Sequence, residues 1–296
     1  MDEIRRLIAE HSGTEEGRKL LGTLEPGCIV AGRPWVRETC PYAYEPPTPK
    51  PSGLIRLDLG AVLEPFEERL SIHRGEVVFT LGDMKKGATV STFADANSNV
   101  LVVRVNRHGG YDRPMTLEFA RYVDDQLGEP ELGAEGKDFW HRYAFPDGFA
   151  YALYGIVAEG EVAKAETGSG EFYDIEARTG WEIRNGRRGM KIWEVELRLP
   201  ERKATLTFSP EVASVTLYDG IATTKETGDP LARTQALAQA AAQKGYDAIY
   251  AAHRAWWEAF WRRSSLVLSD RMVETLWYQG LYVLACQSRG TMPPSL

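Results

Sequence analysis

The chain has few cysteines and no concentration of positive charge. Its 296 residues include three cysteines, Cys28, Cys40 and Cys286, and no two of them have C-x-x-C spacing. This odd, scattered set indicates neither a disulfide framework nor a zinc site. Lysine and arginine form no run, and the formal net charge is −7. The composition therefore argues against nucleic acid and anionic membranes as partners.

Long apolar segments are also lacking. The first ten residues, MDEIRRLIAE, do not contain the apolar stretch of a secretory signal. No segment is long and apolar enough to span a bilayer. Read from Met1, the sequence predicts a cytoplasmic protein. If Met1 is not the natural start, a signal further upstream would make the protein periplasmic or secreted.

Catalytic and cofactor motifs are missing as well. None of the five histidines lies three or four residues from another histidine or a cysteine, so no local metal motif is present. Adjacent carboxylates such as Glu67 and Glu68, or Asp124 and Asp125, point to opposite faces of a strand and cannot share a substrate. No nucleotide loop and no G-x-S-x-G sequence occur, and the glycines around Ser169 read as a hairpin tip. The sequence predicts no catalytic residue, no metal site and no cofactor.

What the chain does contain is a change of pattern along its length. Residues 1–53 are irregular and include a link, 41–51, with five prolines, which predicts an extended connector. From 54 to 222 the apolar period is two, with many short strands and almost no helix. This pattern predicts a β domain built as one large antiparallel β-sandwich.

Two hairpins support the sandwich prediction. Residues 69–80 read as strand, tight turn and strand, with Gly75 supplying a positive φ. Residues 88–94 and 100–105 form a second pair across a loop of turn-forming residues, 95–99. Further strands are predicted at 115–123, 149–157, 170–175, 190–199, 204–208 and 212–217.

A helical linker is predicted over 229–264. Asp229 is a good N-cap, Pro230 suits the first helical position, and Gly245 suits the end of the helix 231–244. A second helix, 247–263, carries four aromatic rings in 256–261, which cover nearly every face of the helix and therefore require more than one packing partner. The stripe predicted to pack is Ile249, Trp256 and Phe260. His253 lies between them and is interpreted as a buried structural imidazole bonded to a carbonyl.

The last segment, 265–296, is predicted to begin with a short strand, 265–268, and to continue as a third helix that Asp270 caps. The residues predicted to face inward are Val273, Leu276, Trp277, Leu281 and Leu284. No later segment is available to cover this apolar stripe, and a helix gains most of its stability from such packing. The expectation is that further helices follow in a longer protein.

The C-terminal residues resemble a known family. Residues 253–264 read HRAWWEAFWRRS and are followed by Leu266, Val267 and Leu268. This string resembles the linker of bacterial six-hairpin glycosidases, in particular the glycoside hydrolase family 95 group of α-L-fucosidase-like proteins, and more distantly family 65. Residues 277–286, WYQGLYVLAC, and 288–296, SRGTMPPSL, resemble the first helix of the family's (α/α)6 barrel. Residues 57–59 and 88–105 are similar in character to its N-terminal super-sandwich.

The resemblance implies a mainly β chain in which the sandwich and helical linker precede the first helix of a truncated (α/α)6 barrel. It implies the N-terminal scaffold portion of a glycoside hydrolase that acts on glycans by an inverting mechanism and is inactive alone. Because the family's catalytic residues lie in later barrel segments, none is carried over. Arg289 resembles a residue near the active-site mouth, which implies a peripheral sugar contact; helix capping and a salt bridge remain the alternative role.

A second hypothesis belongs to another class of protein. The aromatic content, with eight Trp, thirteen Tyr and ten Phe, suits a sugar-stacking surface as well as a large β core. The amphipathic third helix could serve as an oligomerisation tail. The chain would then be a stand-alone carbohydrate-binding or assembly β-sandwich.

Overall fold

Twelve strands followed by three helices make up the described part of the chain. The computed structural model describes residues 52–123, 129–145, 148–184 and 187–288, and the side chains of 173–197 are not described. In chain order the elements are β1 (Leu54–Asp58), β2 (Phe66–Ser71), β3 (Glu76–Gly82), β4 (Gly87–Ala94), β5 (Val100–His108), β6 (Met115–Tyr122), β7 (Glu131–Glu135), β8 (Asp138–Ala144), β9 (Ala150–Glu159), β10 (Val162–Arg184), β11 (Arg187–Phe208), β12 (Ser214–Thr223), α1 (Pro230–Lys244), α2 (Tyr246–Trp261) and α3 (Arg271–Gln287).

The strands form two antiparallel sheets, and the prediction of a large antiparallel β-sandwich is confirmed. The four-stranded sheet has the order β1-β6-β11-β10, and the eight-stranded sheet has the order β2-β3-β4-β5-β12-β9-β8-β7. The chain divides into two units, Met1–Ser52 with Tyr173–Leu197, and Gly53–Phe172 with Arg198–Leu296. Every side chain discussed below belongs to the second unit.

The main core lies between the two sheets. The small sheet contributes buried residues such as Leu117, Phe119 and Leu206, and the large sheet contributes residues such as Phe139 and Leu217. Phe119 and Phe139 stack across the interface with ring centroids 5.4 Å apart. Burial of apolar side chains from both inner faces is what holds two antiparallel sheets together.

The large sheet is also covered on its outer face, by α1 and α2. Tyr218 and Val102 form a second buried cluster with Ala241 of α1 and Ile249 of α2. A Cβ at Gly220 would lie 2.7 Å from the carbonyl oxygen of Thr234, so the absence of a side chain lets α1 lie directly on β12. β12 is accordingly buried along most of its length, as expected of a strand that is covered on both faces.

The predicted hairpins are present. β2 and β3 pair around Gly75, which has φ +61°, and β4 pairs with β5 across the predicted loop. The helix signals also act as predicted: Asp229 accepts from the amide of Ala232, and Asp270 accepts from the amides of Met272 and Val273. None of the described helices is both long and apolar enough to cross a membrane.

Several local predictions are wrong. The sequence analysis missed β1, β7 and β8, and it split β11 into two strands. Residues 168–170 lie inside β10 and are not a hairpin tip. Residues 265–268 form no strand; instead the backbone N–H and C=O of Leu266 are bonded to the hydroxyl of Tyr278. A side chain satisfies this backbone, so it needs no strand partner.

The sandwich interior holds two titratable side chains whose pKa values are shifted by burial in opposite directions. His141 is fully buried, and neither ring nitrogen has a hydrogen-bond partner among the described residues. Burial, together with the charge of Arg121, lowers the pKa of His141 to about 3. On β12, burial raises the pKa of Asp219 to about 7, and its Oδ1 also lacks a partner in the described structure. Both groups are therefore favoured in their neutral forms.

We expect Asp219 to make the protein less stable as the pH rises from about 4 to 7. In the unfolded chain Asp219 loses its proton near the ordinary pKa of an aspartate, whereas in the folded chain it keeps the proton until about pH 7. Between these two pH values the unfolded state is stabilised by ionisation and the folded state is not, so the free energy of unfolding falls. Asp219→Asn should remove this dependence and raise the free energy of unfolding at pH 8 by about 4 kcal/mol.

Urea unfolding at pH 4, 5, 6, 7 and 8 measures this difference. Asp112→Asn is the matched control, because the side chain of Asp112 is 99% exposed. A parallel pH dependence of Asp219→Asn and the unchanged protein would contradict the prediction.

Candidate functional surface

The helix α2 packs on the sandwich through a stripe with a spacing of four. Its buried residues are Ile249, His253 and Trp257. The sequence analysis placed Trp256 and Phe260 on this stripe, and that prediction is wrong: both are only partly buried. Their rings stack on each other at 5.6 Å beside Trp257. The stripe differs because the loop after β4 and the β2–β3 turn meet the helix on the side that carries His253.

His253 connects three segments of the chain. Its Nδ1 accepts a hydrogen bond from the backbone amide of Ala96 at 3.0 Å, and its Nε2 lies 2.8 Å from the carbonyl oxygen of Arg74. An acceptor at Nδ1 and a carbonyl facing Nε2 require the neutral tautomer with the proton on Nε2. The ring also packs on Phe93, with centroids 4.5 Å apart. The interpretation of His253 as a structural imidazole bonded to a carbonyl agrees with this geometry.

Tyr250 adds a second polar contact one turn earlier. Its hydroxyl donates to Oε2 of Glu76 at 2.7 Å, and Glu76 is buried at the start of β3. Burial, with the bond to Glu76, raises the pKa of Tyr250 to about 12. The phenol therefore stays protonated, and its hydrogen bond offsets part of the free-energy cost of burying the Glu76 carboxylate.

The β2–β3 turn fits against an indole ring. A Cβ at Gly75 would lie 2.1 Å from Nε1 of Trp257, and the positive φ of Gly75 disfavours any side chain there. Gly75 was predicted from turn geometry alone, but it also makes room for the helix. Trp257 in turn packs with Ala96 of the loop and Ala285 of α3.

The helix α3 rests on α2 through aromatic rings. Tyr282 lies 5.3 Å from Trp257, and Tyr278 lies 5.8 Å from Trp261, measured between ring centroids. Ala285 is the buried residue of this helix. These residues occupy one side of α3.

The opposite side of α3 is apolar and exposed. The sequence predicts that Val273, Leu276, Trp277, Leu281 and Leu284 face inward. For Val273, Leu276 and Leu284 this is wrong in the described chain, because α2 contacts the tyrosine side of the helix instead, whereas Trp277 and Leu281 are partly buried. We call the exposed stripe the α3 face. Its side chains are between 48% and 74% exposed: Met272, Val273, Leu276, Val283 and Leu284. Exposed apolar stripes of this kind mark interaction surfaces.

The remaining candidate residues that the structure describes are not brought together, and the others lie outside the described residues. Arg289, the predicted sugar contact, lies outside the described residues, as do His11, Asp124 and Asp125. Among the described side chains, no three His, Cys, Asp or Glu residues come together in a metal-ligating arrangement. His73 is exposed in the β2–β3 turn. Nε2 of His108 lies 2.7 Å from the carbonyl oxygen of Asp83.

Comparison with known proteins shows the fold. No family model matches the sequence, and no curated protein matches it. A solved structure described as "Putative kojibiose phosphorylase from human microbiome" superposes with a TM-score of 0.51 at 12% identity over 78% of this chain. An inverting mannosidase of family GH92 from Bacteroides thetaiotaomicron superposes with a TM-score of 0.46 at 15% identity over 75% of the chain. The chain spans 30% and 27% of the lengths of these two proteins.

Replacing the imidazole of His253 should release α2 from the sandwich. His253→Phe keeps a ring against Phe93 but leaves the Ala96 amide and the Arg74 carbonyl without partners. Each unsatisfied buried group costs about 1–3 kcal/mol, so the free energy of unfolding should fall by roughly 2–4 kcal/mol. Urea unfolding measures the loss, and hydrogen exchange at the Ala96 amide locates it.

His73→Phe is the matched control, since it changes the same residue type at an exposed turn position. The bridging role of His253 is contradicted if both variants are equally stable and the Ala96 amide keeps its protection.

Proposed function

We propose that this chain is the sandwich and linker portion of a carbohydrate-active enzyme, and that it braces a helical catalytic domain packed on the α3 face. The observation that carries the proposal is the α3 face itself: a helix docked through tyrosines on one side presents a continuous aliphatic stripe on the other. Burial of such a stripe contributes about 25 cal/mol per Å².

Two further observations support the proposal. The linker string of 253–264 resembles that of six-hairpin glycosidases of the family 95 group. In the structure its His253 and Trp257 fix α2 on the sandwich. The fold is shared with a larger protein described as a phosphorylase of kojibiose, of which this chain spans 30%.

The proposal assigns different tasks to the parts of the chain. The sandwich, 54–222, provides the rigid base, and the linker, 229–264, joins it to the segment 265–296, which is the first helical part of the catalytic domain. Glycosidic cleavage requires two carboxyl groups across a pocket. The chain supplies the base on which such a pocket is built, and cleavage in the complete protein proceeds with inversion.

The test compares the chain of 296 residues with the product of the same reading frame extended downstream. The shorter protein should be inactive on nitrophenyl α-L-fucoside and nitrophenyl glucosides and in phosphorolysis of kojibiose. The extended protein should be active on one of them, and proton NMR of the first product should show the inverted anomer. Activity of the shorter chain, or an extension that adds no helices, would overturn the proposal.

Charges on the α3 face should have opposite effects in the two proteins. We expect the exposed α3 face to make the shorter chain self-associate. Leu276→Lys combined with Leu284→Lys should abolish this association, because the two changes remove exposed apolar area. In the extended protein the same pair should lower kcat/KM by at least about tenfold, because it places charges in a buried contact. Sedimentation velocity and steady-state kinetics measure the two effects.

Met84→Lys is the control, since Met84 is 93% exposed and lies in the β3–β4 connection, away from α3. A discrete dimer of the shorter chain that the double variant dissociates, with full activity retained in the extended protein, would favour the oligomerisation tail instead.

A further inference from the structure

A groove of about 470 Å³ lies where the edges of the two sheets meet at one end of the sandwich. Its walls come from the segment before β7 and from β7 and β8 of the large sheet, and from β10 and β11 of the small sheet. β7 and β10 are the terminal strands of their sheets. Among the described residues, none from α1 or α2 lines the groove.

An indole ring forms one wall of the groove. Trp140 projects from β8 on the side of the sheet opposite the buried Phe139 and His141, and it is only partly buried. A Cβ at Gly133, its partner in register on β7, would lie 2.5 Å from Nε1 of Trp140. The ring thus lies across the backbone of the edge strand at a position where only glycine leaves space. Two strands fix the orientation of this ring.

Arg202 of the small sheet lines the same groove. Arg202 bonds Oε2 of Glu129 through Nε at 3.1 Å and through Nη2 at 2.5 Å, and it bonds the hydroxyl of Ser169 through Nη1 at 2.6 Å. The guanidinium therefore already has a carboxylate and a hydroxyl as partners before any ligand arrives. The carboxylate of Glu131 lines the same groove. Two carboxylates and one guanidinium leave the groove with a net negative charge.

We propose that this groove binds a neutral oligosaccharide, with one pyranose ring on the indole of Trp140 and its hydroxyls bonded to Arg202, Glu129 and Glu131. A sugar ring has an apolar face of C–H groups and a rim of hydroxyls. A groove lined by an aromatic ring and by charged donors and acceptors offers a partner for both. The two carboxylates disfavour uronate and sulfated glycans by repulsion. The groove is separate from the α3 face, so this site and the bracing function can each fail without the other.

Fluorine NMR on the full chain labelled with 5-fluorotryptophan tests the site. The protein has eight tryptophans, and Trp140→Phe identifies the Trp140 signal by its loss. Maltotetraose, xylotetraose and mannotetraose are titrated to about 10 mM, with tetragalacturonate as the acidic probe. At least one neutral tetrasaccharide should shift the Trp140 signal saturably, and tetragalacturonate should not.

Two substitutions separate this site from unspecific contact. Arg202→Met should weaken binding by at least about tenfold, whereas Arg198→Met, a neighbour on β11 bonded to Glu171 outside the groove, should leave it unchanged. Gly133→Ala should weaken binding similarly by displacing the indole, and its own Trp140 shift in the absence of sugar reports that displacement. Thermal unfolding verifies that each variant folds.

Three results would overturn the site. The first is a Trp140 signal that no neutral tetrasaccharide moves. The second is an equal response of Arg202→Met and Arg198→Met. The third is tighter binding of tetragalacturonate than of any neutral probe.

Discussion

One neutral imidazole holds the helical part of the chain to the β part. His253 accepts from the amide that follows β4 and faces the carbonyl that precedes Gly75. A single side chain on α2 thereby bonds two loops that lie 157 and 179 positions away from it in the sequence. Because α3 is attached through Trp257 and Trp261 of the same helix, its position depends on His253 as well.

The two sheets of the sandwich differ in how many of their faces are covered. The large sheet is buried on both faces, by the small sheet on one side and by α1 and α2 on the other. Gly220 on β12 allows the approach of α1, and Gly75 in the β2–β3 turn allows that of Trp257 on α2. Both approaches are closer than any side chain would permit. The chain thus uses glycine at the contacts that join its two kinds of structure, and not only in its turns.

Much of this fold is predictable from local signals. Alternating residues, turn formers and helix caps identified the two hairpins and all three helices, because those signals depend on a few adjacent residues. β7 was not predicted because its sequence, ELGAE, is only five residues long, and its apolar alternation rests on Leu132 and Ala134 alone. β11 was split at Pro200, which cannot donate to a ladder. The structure tolerates this proline because the described ladder with β6 begins at Glu201, while the Pro200 carbonyl accepts from Val123.

The side of a helix that packs was harder to predict than the helix itself. On α2 and α3 the apolar and aromatic residues cover more than one face, so periodicity alone offers several candidate stripes. The β2–β3 turn and the loop after β4 decide between them on α2, and the rings of α2 decide on α3. The choice on α2 depends on residues about 160 to 180 positions away in the chain, and the choice on α3 depends on residues of another helix. A pattern within one helix carries no information about them.

The contact of α2 with the sandwich and its contact with α3 differ in how strictly they fix the orientation of the partner. Toward the sandwich, hydrogen bonds of defined direction meet His253 and Tyr250, and such bonds tolerate little rotation. Toward α3, the contacts are between ring faces and a methyl group, which lose little energy when one helix slides or turns on the other. Related chains should therefore share the seating of α2 on the sandwich and vary in the angle of α3. The orientation of a domain packed on α3 can therefore change during evolution while the sandwich keeps its structure.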